Sequence, residues 1–428
     1  MKTSTFSVIN FGCRTTQSDG AAIEEALLNK NLRKESIEKK SDLVIINTCT
    51  VTKTADAEAR KTIRRIHRRN PDTKIVVTGC AAQIDPYKYA SMKNVDLVLG
   101  NKEKIEYKTW NNLKYDRKIQ VDDIFKFSKN QHESIEKFEG KSRAFIEIQQ
   151  GCNHRCTFCI IPYGRGNNRS VPIGIIVNRI QAFVNNGYKE VVLTGVDITD
   201  YGKDLPGKPS LSQLIKRILN LVPNLMRLRL SSIDCAEITG DFWSILLDKR
   251  LMPHFHLSLQ SGNNLILKRM KRRHTREQAI NFCKKVKSLR PDATFGADII
   301  AGFPTESEIM FQDSLKLIDE CELTHLHIFP YSPREKTPAS RMPQIDKKII
   351  KERAKQLREK GKKNLLKYLK NKIGDKNFIL IESSDIQKST GKDQHFIKVQ
   401  IDQKIQEGNI IPCVYTGIYN DVLFAKKI

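Results

Sequence analysis

The sequence predicts an α/β protein in three parts: an N-terminal parallel α/β domain, a central partial (β/α) barrel and a small C-terminal all-β barrel. Three observations lead there. Within the first hundred residues, short Val/Ile-rich runs that each end on a cysteine alternate with helical stretches. A second alternation of about six β/α units follows over some 200 residues, the scale of a barrel of parallel strands. The last segment breaks into short apolar runs separated by turn residues.

The first runs are "FSVINFGC", "DLVIINTC" and "KIVVTGC", with "SDGAAIEEALLNK" and "TADAEARKTIRRIHRR" as the helices between them. Buried β-branched runs alternating with helices indicate a parallel sheet. In such sheets ligands bind at the carboxyl ends of the strands, where Cys13, Cys49 and Cys80 all stand. Three thiols spread over 68 residues are thus expected to converge. From Ile105 to Arg143 the periodicity fades, as in an inter-domain connection with room for a strand or two. The divisions expected are residues 1–110, a linker at 111–137, the barrel at 138–370 and the all-β module at 371–428.

The barrel strands are read at "AFIEIQQGC", "EVVLTGVDI", "RLRLSSID", "HFHLSLQSG", "TFGADIIAGFP" and "HLHIFPYSP", with helices such as "IGIIVNRIQAFVNNG" and "REQAINFCKKVKSLR" between them. Barrels of this kind carry their chemistry on the loops at the carboxyl ends of the strands. A long basic helix, about Asp346–Asn371, closes this part. "NFILIES", "HFIKVQI" and "DVLFAKKI" are the strands read in the final module.

Composition bounds the function. The chain has 428 residues, 39% hydrophobic, enough for several cores. No apolar run approaches a membrane span, and "MKTSTFSVINFGC" reads as a strand with no secretory signal, so a cytoplasmic protein without a membrane partner is expected. Ten cysteines in a reducing compartment point to metal, cluster or catalytic work more than to disulfides. Lys and Arg number 74 against 48 Asp and Glu, a net charge of +26. That surplus favours a polyanion, nucleic acid first; the other reading is a lysine-rich composition that adds solvated charge everywhere. The charge is clumped, densest at Ala59–Asn70, Lys268–His274 and Lys347–Lys372.

The sharpest motif is "QGCNHRCTFCIIPYGRGNNRS", which sets Cys152, Cys156 and Cys159 in a C-x3-C-x2-C loop after the first barrel strand. Zinc with His154 as a fourth ligand is one reading, although structural zinc sites usually pair two C-x2-C modules and no second pair follows. An iron–sulfur cubane is the other. It usually takes four thiolates, and three would leave one iron open to another ligand.

With Phe158 just before the third cysteine, this loop resembles that of the radical S-adenosylmethionine superfamily. The resemblance implies that S-adenosylmethionine chelates the open iron, and that an electron from the cluster releases a 5′-deoxyadenosyl radical. Together with Cys13, Cys49 and Cys80, nearly the whole chain resembles the methylthiotransferases, whose C-terminal module is the TRAM domain; the likeness is weakest over Ile105–Arg143 and the last 57 residues. That implies a radical-generating [4Fe–4S] cluster on Cys152, Cys156 and Cys159, and a second on Cys13, Cys49 and Cys80. It also implies a low-potential electron donor as a partner, and a monomer is expected. An aromatic C–H is not acidic enough for a side-chain base, which is why such chemistry is left to cofactors.

Other loops carry weaker signals. Thr194 and Gly195 in "LTGVDITD" sit where related enzymes bind the methionyl amine, unless this is an ordinary β/α turn. Gln260, with Ser261 beside it, and Asp298 match family segments near the cofactor. Arg165 and Arg169 in "YGRGNNRS" suit a substrate carboxylate or phosphate, or solvent. Cys235, Cys283, Cys321 and Cys413 are read as non-ligands.

The +26 charge favours RNA over a basic ribosomal protein, and unstacked loop bases are what RNA-reading proteins reach best. "INTCTVTKTADAEARKTIRR" is similar to the branch that acts on N6-threonylcarbamoyladenosine beside the tRNA anticodon, where a methylthio group is added at C2. The resemblance implies the tRNA anticodon stem-loop as partner. The departures are "FGCRTTQSDG" and "LTGVDITDYG". The isopentenyladenosine enzymes and the ribosomal-protein aspartate enzymes are the alternatives within the family. A non-catalytic RNA-binding protein with structural metal sites is the alternative of another class.

Overall fold

The computed structural model describes residues 4–12, 14–36, 38–50, 53–127, 142–238 and 240–428. Cys13 and the stretch 128–141, which includes the last ten residues of the expected linker, lie outside the described residues. The chain forms two compact units, the first from residues 1–139, 147–155 and 159–172 and the second from 140–146, 156–158 and 173–428.

In the first unit six strands make one parallel sheet, in the order Arg33–Lys34, Thr5–Asn10, Leu43–Thr48, Lys74–Gly79, Leu97–Leu99 and Ile119–Gln120. Every residue of Leu43–Thr48 is buried, because helices cover both faces. Val44 and Ile46 join Ile75 and Val77 under Ala59 and Ile63 of the Lys53–Arg69 helix. Leu43 and Ile45 alternate to the other face, with Phe6, Val76, Ile23, Leu27 and Trp110. This two-sided burial is what a continuous β-branched run encodes. The fading connection contributes Ile119–Gln120 as an edge strand of this sheet.

In the second unit Glu190–Gly195 lies parallel to Arg227–Leu230, and His254–Gln260, Thr294–Ala301 and Leu323–Pro330 form a parallel trio. Bridges Leu228–Leu251 and Ile233–Leu257 connect the two groups. Helices fall between the strands as the alternation requires, two of them opened by full capping boxes at Ser210 and Thr275. The 24-residue helix Lys347–Lys370 follows.

The final module is a closed five-stranded barrel, ordered Lys376–Ser384, Ser389–Lys392, Lys398–Ile401, Val422–Lys427 and Ile410–Tyr419. Its core is Ile379, Ile381, Val399, Ile401, Cys413, Tyr415 and Leu423, capped by Leu369 of the long helix. Cys413 is thus a packing residue.

Candidate active site

The thiol loop begins where strand Ala144–Gln150 ends, and its shape follows from Gly151. Its φ of +67° is open mainly to glycine, and a Cβ there would stand 1.8 Å from the Asn167 carbonyl. The chain returns beside itself, with the Cys152 amide donating to the Gly166 carbonyl at 3.0 Å. The buried Gln149 amide closes the base, donating to the Gly151 carbonyl at 2.7 Å and to Asn168 Oδ1 at 2.7 Å. Cys152, Cys156 and Cys159 are all partly exposed.

Residues 156–158 are held by the second unit. Thr157 donates through its amide to the Met270 carbonyl at 3.1 Å and through its hydroxyl to the Arg269 carbonyl at 2.8 Å. Phe158 packs against the cluster of Ile266, Met270, Phe303 and Tyr331. Arg272 reaches the sulfur itself, Nη1 donating to Cys156 Sγ at 3.7 Å. Its Nη2 donates to Asp234 at 2.8 Å and to the Ser258 carbonyl at 2.7 Å. Burial pushes the Asp234 carboxyl up, but His274 and Arg272 outweigh it and hold it well below the usual range. The run Lys268–His274, one of the dense basic clumps of the sequence, therefore places Arg272 inside the protein. Nothing local in the sequence signals this, because its partner Asp234 is 38 residues away.

In the first unit Cys49 and Cys80 follow directly on adjacent strands and are both buried. Gly79 makes the turn into the Cys80–Ile84 helix with φ +98°, and a Cβ on it would lie 2.3 Å from the Thr48 carbonyl. Asn101 donates to Cys80 Sγ at 3.7 Å and to the Gly164 carbonyl at 2.5 Å. Gly164 lies so close that a Cβ would stand 3.1 Å from that of Cys80. The turn after the C-x3-C-x2-C loop thus packs on one of the N-terminal thiols.

That turn is fixed by a buried ionic network. Arg165 donates to Asp19 Oδ2 at 2.6 Å and to Gln150 Oε1 at 3.3 Å, and Lys104 donates to Asp19 Oδ2 at 2.7 Å. Burial pushes the Asp19 carboxyl up, yet Arg165 and Lys104 bring it down to about 2. Glu147, hydrogen-bonded by Gln150 at 2.6 Å, is pushed up to about 7 by burial and by the charge of Asp19. Arg169 is buried as well, its guanidinium 4.9 Å from the Phe127 ring centre and donating to the Arg165 carbonyl at 3.0 Å. Both arginines therefore lie inside the unit, each with partners of its own. Asp19 and Lys104 carry no sequence signal.

The remaining predicted residues fall in the second unit. Thr194 is buried and Gly195 ends its strand. Gln260 closes its strand with φ +69° and pairs with Ile299, the neighbour of Asp298. Asp298 Oδ1 meets His256 Nε2 at 3.0 Å and His327 Nδ1 at 3.2 Å. Burial raises the Asp298 carboxyl, and the two imidazoles more than reverse this. The structure thus brings Gln260 and Asp298 onto adjacent strands and places Thr194 and Gly195 in the other strand group.

The donor set tests what these sites suit. Three sulfurs on one loop, one of them facing a buried guanidinium, fit a thiolate-bound iron–sulfur cluster, whose negative charge such a cation offsets.

Comparison with known proteins agrees with this chemistry. Residues 146–318 match the model of the radical SAM superfamily, and residues 5–100 match uncharacterized protein family UPF0004. A threonylcarbamoyladenosine tRNA methylthiotransferase of Rickettsia prowazekii is 48% identical over 412 residues, covering 96% of this chain and 94% of that protein. One of the same name from Aquifex aeolicus is 38% identical, covering 87% and 92%. Among solved structures, a radical S-adenosylmethionine methyltransferase from Kitasatospora setae has a TM-score of 0.56 at 14% identity, covering 78% of this chain and 74% of that one, a likeness of fold. The barrel and its thiol loop thus define a radical S-adenosylmethionine enzyme. Identity across nearly the whole length narrows the class: the chain belongs to the methylthiotransferase family, whose cofactors are S-adenosylmethionine and [4Fe–4S] clusters. Among the described residues no helix is long and apolar enough to cross a membrane.

Proposed function

We propose that this protein inserts a methylthio group at C2 of N6-threonylcarbamoyladenosine in tRNA, beside the anticodon. The observation that carries the reading is the 48% identity, over 96% of the chain, to a relative named for that nucleoside. The "TCTVT" segment at Thr48–Thr52 agrees with it.

In this reading Cys152, Cys156 and Cys159 hold one [4Fe–4S] cluster, and Cys49 and Cys80 hold a second together with Cys13. With S-adenosylmethionine bound, such a centre supplies a carbon radical able to attack an unactivated C–H bond. The chain's own residues orient and enclose. Phe158 anchors the thiol loop in an apolar cluster that excludes water. Arg272 offsets negative charge at Cys156. Thr194, Gly195, Gln260 and Asp298 are the groups for the cofactor. Arg165 and Arg169, expected from the sequence to meet the substrate, here serve as positioning residues that fix the turn Gly164–Asn168, Arg165 from its seat on Asp19. Residues 371–428 act as a TRAM-like RNA-binding module. The protein works in the cytoplasm as a monomer, supplied by a low-potential electron donor.

The test is nucleoside mass spectrometry of tRNA from cells with and without the gene. Loss of the methylthio group from threonylcarbamoyladenosine alone is expected. Loss from the isopentenyl derivative instead would overturn the substrate assignment.

A further inference from the structure

The helix Lys53–Arg69 buries Ala59, Thr62 and Ile63 against the first unit's sheet. Its opposite face carries Lys61, Arg64, Arg65 and Arg68, spaced i, i+3, i+4 and i+7, with Arg69 beside them, all exposed. Such spacing makes one stripe along a helix.

Among the described residues no carboxylate pairs with any of these five cations. The helix's Asp56 is taken by Arg60 at 3.3 Å and Lys88 at 2.7 Å. Glu58 is the exposed acid on the stripe's own face, and Glu38 stands near Arg65 across a shallow hollow. Lys61 with Arg65, Arg64 with Arg68, and Arg65 with Arg69 are like charges one turn apart, which weakens a helix. The helix dipole accounts for cations in the last turn, Arg68 and Arg69, but not for Lys61, Arg64 and Arg65. Lysines outnumber arginines in the chain, yet arginine dominates here. Arginine is the residue whose planar fork matches phosphate oxygens two at a time.

Position supplies the second argument. The helix starts four residues after Cys49, at the sheet edge that carries the thiols, and runs away from it. At 1.5 Å per residue the stripe extends from about 12 to about 24 Å beyond the helix start. A base handled at the thiol edge would carry its flanking backbone over that distance.

We propose that Lys61, Arg64, Arg65 and Arg68 form a docking stripe for the phosphate backbone of the RNA substrate. This rests on the RNA reading above and adds a surface to it that is separate from the C-terminal barrel. The test is binding of the full-length, cluster-loaded protein to a tRNA transcript across a salt series, comparing wild type with Arg64→Gln/Arg65→Gln/Arg68→Gln. Glutamine keeps helix propensity near that of arginine. Loss of two to three phosphate contacts should weaken binding at least tenfold at low salt. It should also flatten the slope of log affinity against log salt by about 2. Iron content should match wild type, the thermal midpoint should be no lower than wild type because the like-charge pairs are relieved, and Glu58→Gln should tighten binding. A triple variant with unchanged slope and affinity overturns the stripe while leaving the RNA reading intact. A wild-type protein without salt-dependent tRNA binding overturns both.

Discussion

The guanidinium of Arg272 donates to Cys156 Sγ at 3.7 Å while its other nitrogen is held by Asp234 at 2.8 Å. On the proposed reading, in which Cys156 ligates a cluster, a cation with one hand on a carboxylate and one on that sulfur stabilises added negative charge on the cluster, and so raises its reduction potential. Arg272→Met is expected to shift the midpoint potential of the loop's cluster to more negative values in an EPR-monitored titration, with Arg272→Lys in between. Retained iron with an unmoved potential would make Arg272 a packing residue. Asp234 keeps Arg273 at 3.0 Å after the single change, and Arg272→Met/Asp234→Asn is the control that leaves the net buried charge unaltered.

Asp19 joins Arg165 and Lys104, neither of which has another buried carboxylate within 3 Å. Asp19→Ala removes the carboxylate the two buried cations share, leaving Arg165 with Glu147 at 3.9 Å and Lys104 with Asn47 at 3.4 Å, and should cost about 3–5 kcal/mol in denaturant unfolding. Asp19 titrates at about 2, below its ordinary 3.8, so its contribution is present above pH 3.8 and is lost as pH falls through about 2.

Glu147 has the opposite sign. Burial and the charge of Asp19 raise its carboxyl from 4.5 to about 7, so the native state keeps a proton the unfolded chain has released. No penalty exists below pH 4.5; it grows as pH rises towards 7 and then levels off, at roughly 3 kcal/mol at most. Glu147→Gln should therefore gain stability relative to wild type between pH 5 and pH 8. Equal unfolding midpoints for the two proteins at both pH values would count against the network.

What the sequence conceals in this molecule is mostly long-range. The strand-end cysteines and the thiol loop are legible because β-branched runs and C-x3-C-x2-C spacing are local patterns, and the described ones, Cys49, Cys80, Cys152, Cys156 and Cys159, stand at the positions read for them. Arg272, Asp234, Asp19 and Lys104 are not legible, since a buried ion looks like a solvated one until its distant partner is known. Two barrel strands escape for a different reason. Ser389–Lys392, "STGK", has no apolar alternation. It is buried because Ser389 satisfies its hydroxyl on the Gln403 carbonyl at 2.7 Å, and because Gly391 leaves room for the Leu380 carbonyl. Ile410–Tyr419 carries Pro412 and Gly417, which read as breaks. The arginines of "YGRGNNRS" give a local signal for charge and none for depth.

Gly79 and Gly151 offer a way to separate the two thiol sets. Each holds a positive φ, and each would drive a Cβ into a backbone carbonyl. Gly79→Ala should disturb chiefly the Cys49 and Cys80 strand ends, and Gly151→Ala chiefly the C-x3-C-x2-C loop. Anaerobic reconstitution should give about eight irons per chain for wild type and about four for either variant. S-adenosylmethionine cleavage should survive in Gly79→Ala and fail in Gly151→Ala. Full iron in both would mean the backbone relaxes around the new methyl group.

Within the second unit the C-terminal barrel is held by Phe396, whose ring lies under the cations of Lys392, Arg229 and Arg143 at 3.3, 5.0 and 5.4 Å. Phe396 has a φ of +68°, a backbone rarely adopted by an aromatic residue, and it persists because its surroundings over-determine it. Arg229 also bonds Glu190 at 3.0 Å and the Asp393 carbonyl at 3.3 Å, tying the barrel to the strand Glu190–Gly195. Burial pushes the Glu190 carboxyl up, but Arg229 and Arg143 bring it to about 2, so the anchor stays ionised at neutral pH. Phe396→Ala should cost about 1–2 kcal/mol of cation–π and packing energy, and Glu190→Gln more, since it removes the buried carboxylate shared by Arg143, Arg227 and Arg229 and leaves only Arg143 with a second one, Glu382. Limited proteolysis should then release the barrel near residues 371–375, with iron content and S-adenosylmethionine cleavage kept and tRNA affinity reduced. A protease-resistant Phe396→Ala protein with wild-type tRNA affinity would show that the Glu190 cluster alone holds the module in place.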